Sequence, residues 1–259
     1  MEPLLLRLAE LTNQVIVVGG QAVNFWAERY VAQVPALTPE RPFASNDLDF
    51  CGGTHELVRL GAALLDGTAY LANMDDQSPN VGIIGYRDGR WERVIDVLYE
   101  PYGLHLAEVR DMAFPTELLA TDGQPTGVIF RVMHPVHVLK SRVHNAMNLP
   151  GYDSPRRLKQ LRVASLCIPA FASELLGLGG HEGNARSILQ TVVKFSCLHK
   201  DALGLLAKHG VDPAAGARTM LDDERLNERF RQLEVPRLLR SLDERGSRRS
   251  SRSRNPFSR

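Results

Sequence analysis

The stretch Val15-Ile-Val-Val-Gly-Gly-Gln-Ala-Val-Asn-Phe-Trp26 decides the fold. Its compact apolar run ends abruptly at Gly19-Gly20, as a buried strand feeding a tight turn does. From Gln21 to about Gln33, the spacing of Ala22, Val23, Trp26 and Tyr30 predicts an amphipathic helix. Upstream, Leu4, Leu5, Leu8 and Leu11 share one face of a short helix over residues 3–12. Downstream, Pro35, Pro39 and Pro42 disfavour regular structure until Ser45, and Asp47-Leu-Asp-Phe50 then alternates acidic and apolar positions as a strand does. A helix is predicted over 54–65. Residues 81–86 and 91–99 flank Arg87-Asp-Gly-Arg90, where Asp-Gly signals a hairpin, and a short strand follows over 127–132.

Beyond His134 the pattern changes to helices alone, over about 155–176, 182–209 and 213–233, with Ser154-Pro155 as an N-cap and first helical residue. Gly177-Leu-Gly-Gly180 has no preceding strand and no following Lys-Ser/Thr, so it reads as a helix C-cap and turn. The predicted fold class is therefore α+β: a mixed sheet with flanking helices over residues 1–134, a helical domain over 135–244, and an Arg/Ser-rich tail over 245–259 that has nothing to bury and is expected to be disordered when unbound.

Composition narrows the class. The chain has 259 residues, of which 44% are hydrophobic and 24% charged, which excludes a collagenous, wholly disordered or disulfide-scaffold protein. Cys51, Cys167 and Cys197 are widely spaced and odd in number, so neither a disulfide framework nor a thiolate zinc site is indicated. The amino-terminal leucine run is too short for a secretory segment and no apolar stretch spans a membrane, so the expected location is the cytoplasm. The formal charge of +1 conceals an asymmetry: residues 1–244 hold 25 basic and 30 acidic side chains, whereas 245–259 hold six arginines and no acid.

Three features carry the chemistry. Gly19-Gly20 presents backbone N–H groups at a helix start, where an anion can bind. Asp47 and Asp49, two apart on a strand, put both carboxylates on one face. Asp96 lies within Val94-Ile-Asp-Val-Leu98, where an ionised carboxylate is costly to bury without a partner. If the strand of Asp96 lies beside that of Asp47 and Asp49, the acids converge on a site for two divalent cations, the arrangement that an in-line nucleotidyl displacement needs.

Val-Gly-Gly followed by a helix, Ser45-Asn-Asp-Leu-Asp-Phe50, and a third Asp in an apolar strand together resemble the nucleotidyltransferase superfamily of the polymerase β type. More narrowly they resemble its AbiEii-like and minimal members found among bacterial toxins. The resemblance covers residues 14–100 by motif, and extends toward 150 through His134-Pro-Val-His-Val-Leu-Lys140. It implies a nucleotidyltransferase-type amino-terminal sheet and transfer of NMP from an NTP such as ATP to an acceptor hydroxyl on tRNA, protein or a small molecule, with release of pyrophosphate. It further implies two Mg2+ or Mn2+ ions on Asp47, Asp49 and Asp96, with Asp96 helping to deprotonate the acceptor. Gly19, Gly20, Ser45 and Lys140 would hold the nucleotide, and an antitoxin would be a possible partner.

Two departures stand out. The family keeps its glycines and first Asp about a dozen residues apart, whereas 27 positions separate Gly20 from Asp47 here, which reads as an insertion over 34–45. Gln21 also occupies the place of an expected hydroxyl, leaving Ser45, Gln21 or Arg41 as donors. These departures motivate an alternative, a non-catalytic binding or partner protein on the same scaffold, associated with RNA through its tail. His134, His137, Lys140 and His144 fall near one helix face; without a carboxylate at matching spacing, the histidines read as polar surface or phosphate contacts before they read as a metal site, and Arg142 is a second phosphate candidate.

Overall fold

The computed structural model describes residues 2–43, 47–73, 78–120 and 122–245. Among the described residues, seven strands form one mixed sheet: β1 (Ile16–Val18), β2 (Leu48–Cys51), β3 (Thr68–Leu71), β4 (Asn80–Asp88), β5 (Trp91–Leu98), β6 (Phe114–Leu119) and β7 (Pro125–Val132). Their order is β3-β4-β5-β2-β1-β7-β6, with β2 parallel to β5, β1 parallel to β7 and the other pairs antiparallel. The helices are α1 (Glu2–Arg7), α2 (Gly19–Tyr30), α3 (His55–Leu64), α4 (Leu106–Met112), α5 (Pro135–Asn148), α6 (Pro155–Gly177), α7 (Glu182–Leu198), α8 (Lys200–His209), α9 (Ala215–Thr219), α10 (Glu228–Leu233) and α11 (Val235–Glu244). The class is α+β.

The chain divides into two compact units, residues 1–29 with 41–141 and residues 30–40 with 142–259. In the first unit, directly paired residues point to one face of the sheet. Val17, Phe50, Val97, Ile95 and Ile84 lie on the face covered by α2 and α3. Helix α3 sits close because Gly61 has no side chain: a Cβ there would stand 2.5 Å from the Ile84 Cδ1. Helix α2 is fixed by Trp26, whose indole Nε1 donates to the Met133 carbonyl at 2.9 Å and whose ring meets Phe114 edge-on. Thr54 caps α3 by accepting from the Leu57 N–H.

The second unit is helical, with Leu161, Ile168, Leu189, Val192 and Leu205 among its buried side chains. The segment following α2 is a 3₁₀ helix, Pro35–Glu40, rather than an irregular loop, and its Leu37 is fully buried. Much of the expected insertion therefore folds as part of the helical unit. The single helix expected over 182–209 is two, because His199 takes an extended conformation (φ −80°, ψ 130°). The one expected over 213–233 is likewise two short helices, α9 and α10. Strands β3 and β6 and helix α4 carry no strong sequence signal. Arg245, grouped with the tail by composition, is buried and ion-paired with Asp212, so only five of the six arginines lie in 246–259, outside the described residues. Among the described residues no helix is long and apolar enough to cross a membrane, and no disulfide joins any of the three cysteines.

Candidate active site

The sheet brings two of the expected acids side by side. Asp49 on β2 and Asp96 on β5 are register partners on adjacent parallel strands, and Val18, the residue before the glycine pair, is the partner of Asp49 on its other side. Neighbouring strands lie about 4.8 Å apart, so the two carboxylates leave the same face as neighbours. The apolar residues alternating with them, Leu48, Phe50, Ile95 and Val97, face the helices and fix the register, because a slip of one residue would bury both acids. Asp47 stands exposed one residue before β2, rather than inside the strand.

Gly19 is where the glycine pair meets the acids. Its φ is +64°, a conformation that L side chains rarely adopt, and a Cβ built on it would lie 1.7 Å from Asp49 Oδ2. The absent side chain is the space that the Asp49 carboxylate occupies. Helix α2 begins at Gly19, so the carboxylate lies against a helix start.

Asp96 is half-buried. Burial raises its pKa, Asn80, donating from Nδ2 to Oδ1 at 2.9 Å, opposes the rise, and the nearby charge of Asp47 adds to it. The net shift is upward. Like charges gathered without a cation account for part of that shift, and a cation would relieve it. The three acids are hard oxygen donors of the kind that hold Mg2+ or Mn2+. As the chain stands their oxygens do not all gather within 4.8 Å of one another, whereas among the described residues His144, His199 and Asp201 do bring their donor atoms that close.

Strands β1 and β7 are parallel, so their ends, leading into Gly19 and His134, lie at the same end of the sheet. Helices α2 and α5 both start there. His134 accepts at Nδ1 from the Val136 N–H at 3.2 Å, which places the proton of the neutral ring on Nε2. Burial, with His137 and Lys140 adding to it, pushes the His134 pKa down to about 3. Burial and Lys140 bring His137 to about 4, against the opposing charge of Glu108. Both rings are neutral at pH 7, and both lie near the ammonium of Lys140.

The histidines are not the polar surface that their spacing suggested: His134, His137 and His144 are buried. Arg142 is also buried and donates to Gln160 at 3.4 Å. Arg41 pairs with Glu28 at 2.9 Å, and Asn24 donates to Gln21 at 3.3 Å. Ser45 lies outside the described residues. The carboxylate that the histidine pattern lacked is Asp201, far along the chain. The one sequence sign of it is His199-Lys-Asp201, two donor types two residues apart.

No protein-family model and no curated protein matches the chain. Among solved structures it is similar to that of the antibiotic-resistance factor ANT(2'')-Ia, at 15% identity and a TM-score of 0.40, over 71% of this chain and 97% of that one. A likeness at that level carries no argument about function.

Proposed function

We propose that the chain is a metal-dependent nucleotidyltransferase of the polymerase β type, moving an NMP from an NTP to an acceptor hydroxyl with release of pyrophosphate. The observation that carries this reading is the in-register pairing of Asp49 with Asp96, at a helix start whose glycine leaves room for the Asp49 carboxylate.

Asp47, Asp49 and Asp96 would hold Mg2+ or Mn2+, which when bound neutralises the triphosphate and stabilises both the attacking and the leaving oxygens. The fit rests on the donor set and on the space left at Gly19. Gly19 and Gly20, opening α2, offer backbone N–H groups to the phosphates, and the positive end of the helix dipole favours them there. Lys140 supplies a compact cation on the helix that starts at the same end of the sheet. The neutral His134 and His137 beside it add no competing charge. Asp96, the third of these carboxylates, would accept the proton of the acceptor hydroxyl. The acceptor class is tRNA, protein or a small molecule.

The test is incubation of the chain with α-labelled ATP, or each other NTP in turn, in Mg2+ with total RNA, protein or small-molecule pools. Label transfer by the wild type and none by Asp47→Asn/Asp49→Asn is expected. Transfer that persists unchanged in the double variant overturns the assignment.

A further inference from the structure

We infer that His144, His199 and Asp201 form a second cation site, for a borderline first-row divalent ion such as Zn2+, lying within the helical unit. The inference is independent of the nucleotidyl-transfer reading, since all three residues belong to the unit formed by residues 30–40 and 142–259.

One donor atom of each residue lies within 4.8 Å of the other two, and His144 and Asp201 are only 8% and 7% exposed. The two imidazole rings stand nearly perpendicular, with centroids 4.7 Å apart. Phe195 packs against both, stacked on His199 at 5.0 Å and edge-on to His144 at 5.7 Å. The aromatic wall lowers the local dielectric and restricts both rings. Two imidazoles and one carboxylate suit Zn2+, and leave a fourth position for water in a tetrahedral shell.

Asn148 and contacts among the three residues themselves already hold the donors. Asn148 donates from Nδ2 both to Asp201 Oδ2 at 2.8 Å and to the His144 carbonyl at 2.9 Å. His144 Nδ1 lies 2.8 Å from the same Oδ2, and the Asp201 N–H donates to His199 Nδ1 at 3.2 Å, which caps α8. Such fixed orientation of ligands by their neighbours is what metal centres share. The cation would join the last turns of α5 to the α7–α8 junction, where the chain breaks at His199, and so act as a clasp on the helical unit.

The full chain, stripped with EDTA, is titrated with Zn2+ by calorimetry and with Co2+ by visible absorption. One equivalent of Zn2+, the d–d bands of a low-coordinate Co2+ centre and a raised melting temperature are expected. His199→Asn keeps a capping acceptor while removing the imidazole, and should abolish the Co2+ bands with unchanged circular dichroism in EDTA. Asn148→Ala should weaken Zn2+ binding by about 10- to 100-fold. Asp49→Asn/Asp96→Asn should leave the bands intact, separating this site from the sheet carboxylates. Absence of stoichiometric Zn2+, or bands equal in His199→Asn and wild type, overturns the proposal and leaves the cluster as a hydrogen-bond network alone.

Discussion

Gly19 and Asp49 are bound to each other by an absence. Gly19→Ala would drive a methyl group into the space of the Asp49 carboxylate at a positive φ. The strain costs roughly 1–2 kcal/mol of stability, and displacing the carboxylate by about 1 Å should cost about 100-fold in transfer rate. Melting and labelled-NTP assays on the same preparation separate the two effects. Asp96 gives a prediction of the opposite kind. Its folded-state pKa lies above the ordinary carboxylate value, so its contribution to stability is fully present below that ordinary value and is lost as pH rises through the folded one. Asp96→Asn should therefore raise the melting temperature at neutral pH while abolishing transfer; an unchanged or lowered melting temperature would contradict the charge crowding. Transfer by the wild type should fall as pH drops and Asp96 is protonated. Asn80→Ala, which removes a hydrogen bond to the charged form, should move the acid limb of the pH profile to higher pH.

At the scale of elements, the pieces nearest the acids were legible in the sequence because local signals and tertiary contacts agree there. The run at Val15, the Gly-Gly turn, the alternation at Asp47–Phe50 and the Asp-Gly hairpin each appear, the last with its turn one residue later, since Asp88 pairs with Trp91 and Gly89-Arg90 makes the bend. The pairing of β2 with β5 was not legible, because register between strands distant in sequence depends on which faces the helices cover. Strands β3 and β6 were missed for a similar reason: Thr68–Leu71 and Phe114–Leu119 are half-exposed edge strands with no uninterrupted apolar run. The missing carboxylate near His144 was invisible to helical spacing, since it comes from another helix. Where α6 meets α9, Gly216 allows close approach: a Cβ would stand 2.0 Å from the Ser165 carbonyl oxygen, and the Gly216 N–H donates to Ser165 Oγ at 3.2 Å. Gly216→Ala should destabilise the chain by about 1–3 kcal/mol through overpacking, read as a lower denaturation midpoint with nucleotide binding retained after refolding at low temperature.

Over the whole molecule, the near-zero net charge is the sum of an acidic body and a basic end. Part of that end is structural, since Arg245 pairs with Asp212. Residues 246–259 carry five arginines and no acid. Deleting them should weaken association with single-stranded RNA and flatten its dependence on salt by up to about 3–4 in log–log slope, at about 0.7 per phosphate contact. A slope unchanged by the deletion would remove the tail from any RNA contact. The long spacing between Gly20 and Asp47 belongs to this scale too. The chain leaves the sheet unit after Arg29, adds Tyr30–Glu40 to the helical unit, where Tyr30 donates to Glu174 at 2.6 Å, and then returns. Proline content made that segment look like loop; the burial of Leu37 that gives it a place comes from residues far along the chain.

The central claim is that Asp47, Asp49 and Asp96 hold a metal-bound nucleotide. It is tested most directly by electron paramagnetic resonance of Mn2+ titrated into the chain with a non-hydrolysable NTP analogue. The account predicts bound Mn2+ that depends on the analogue in the wild type, and its loss in both Asp49→Asn and Asp96→Asn, each still folded by circular dichroism. Nucleotide-dependent Mn2+ binding that is absent from the wild type, or equal in all three proteins, would contradict it.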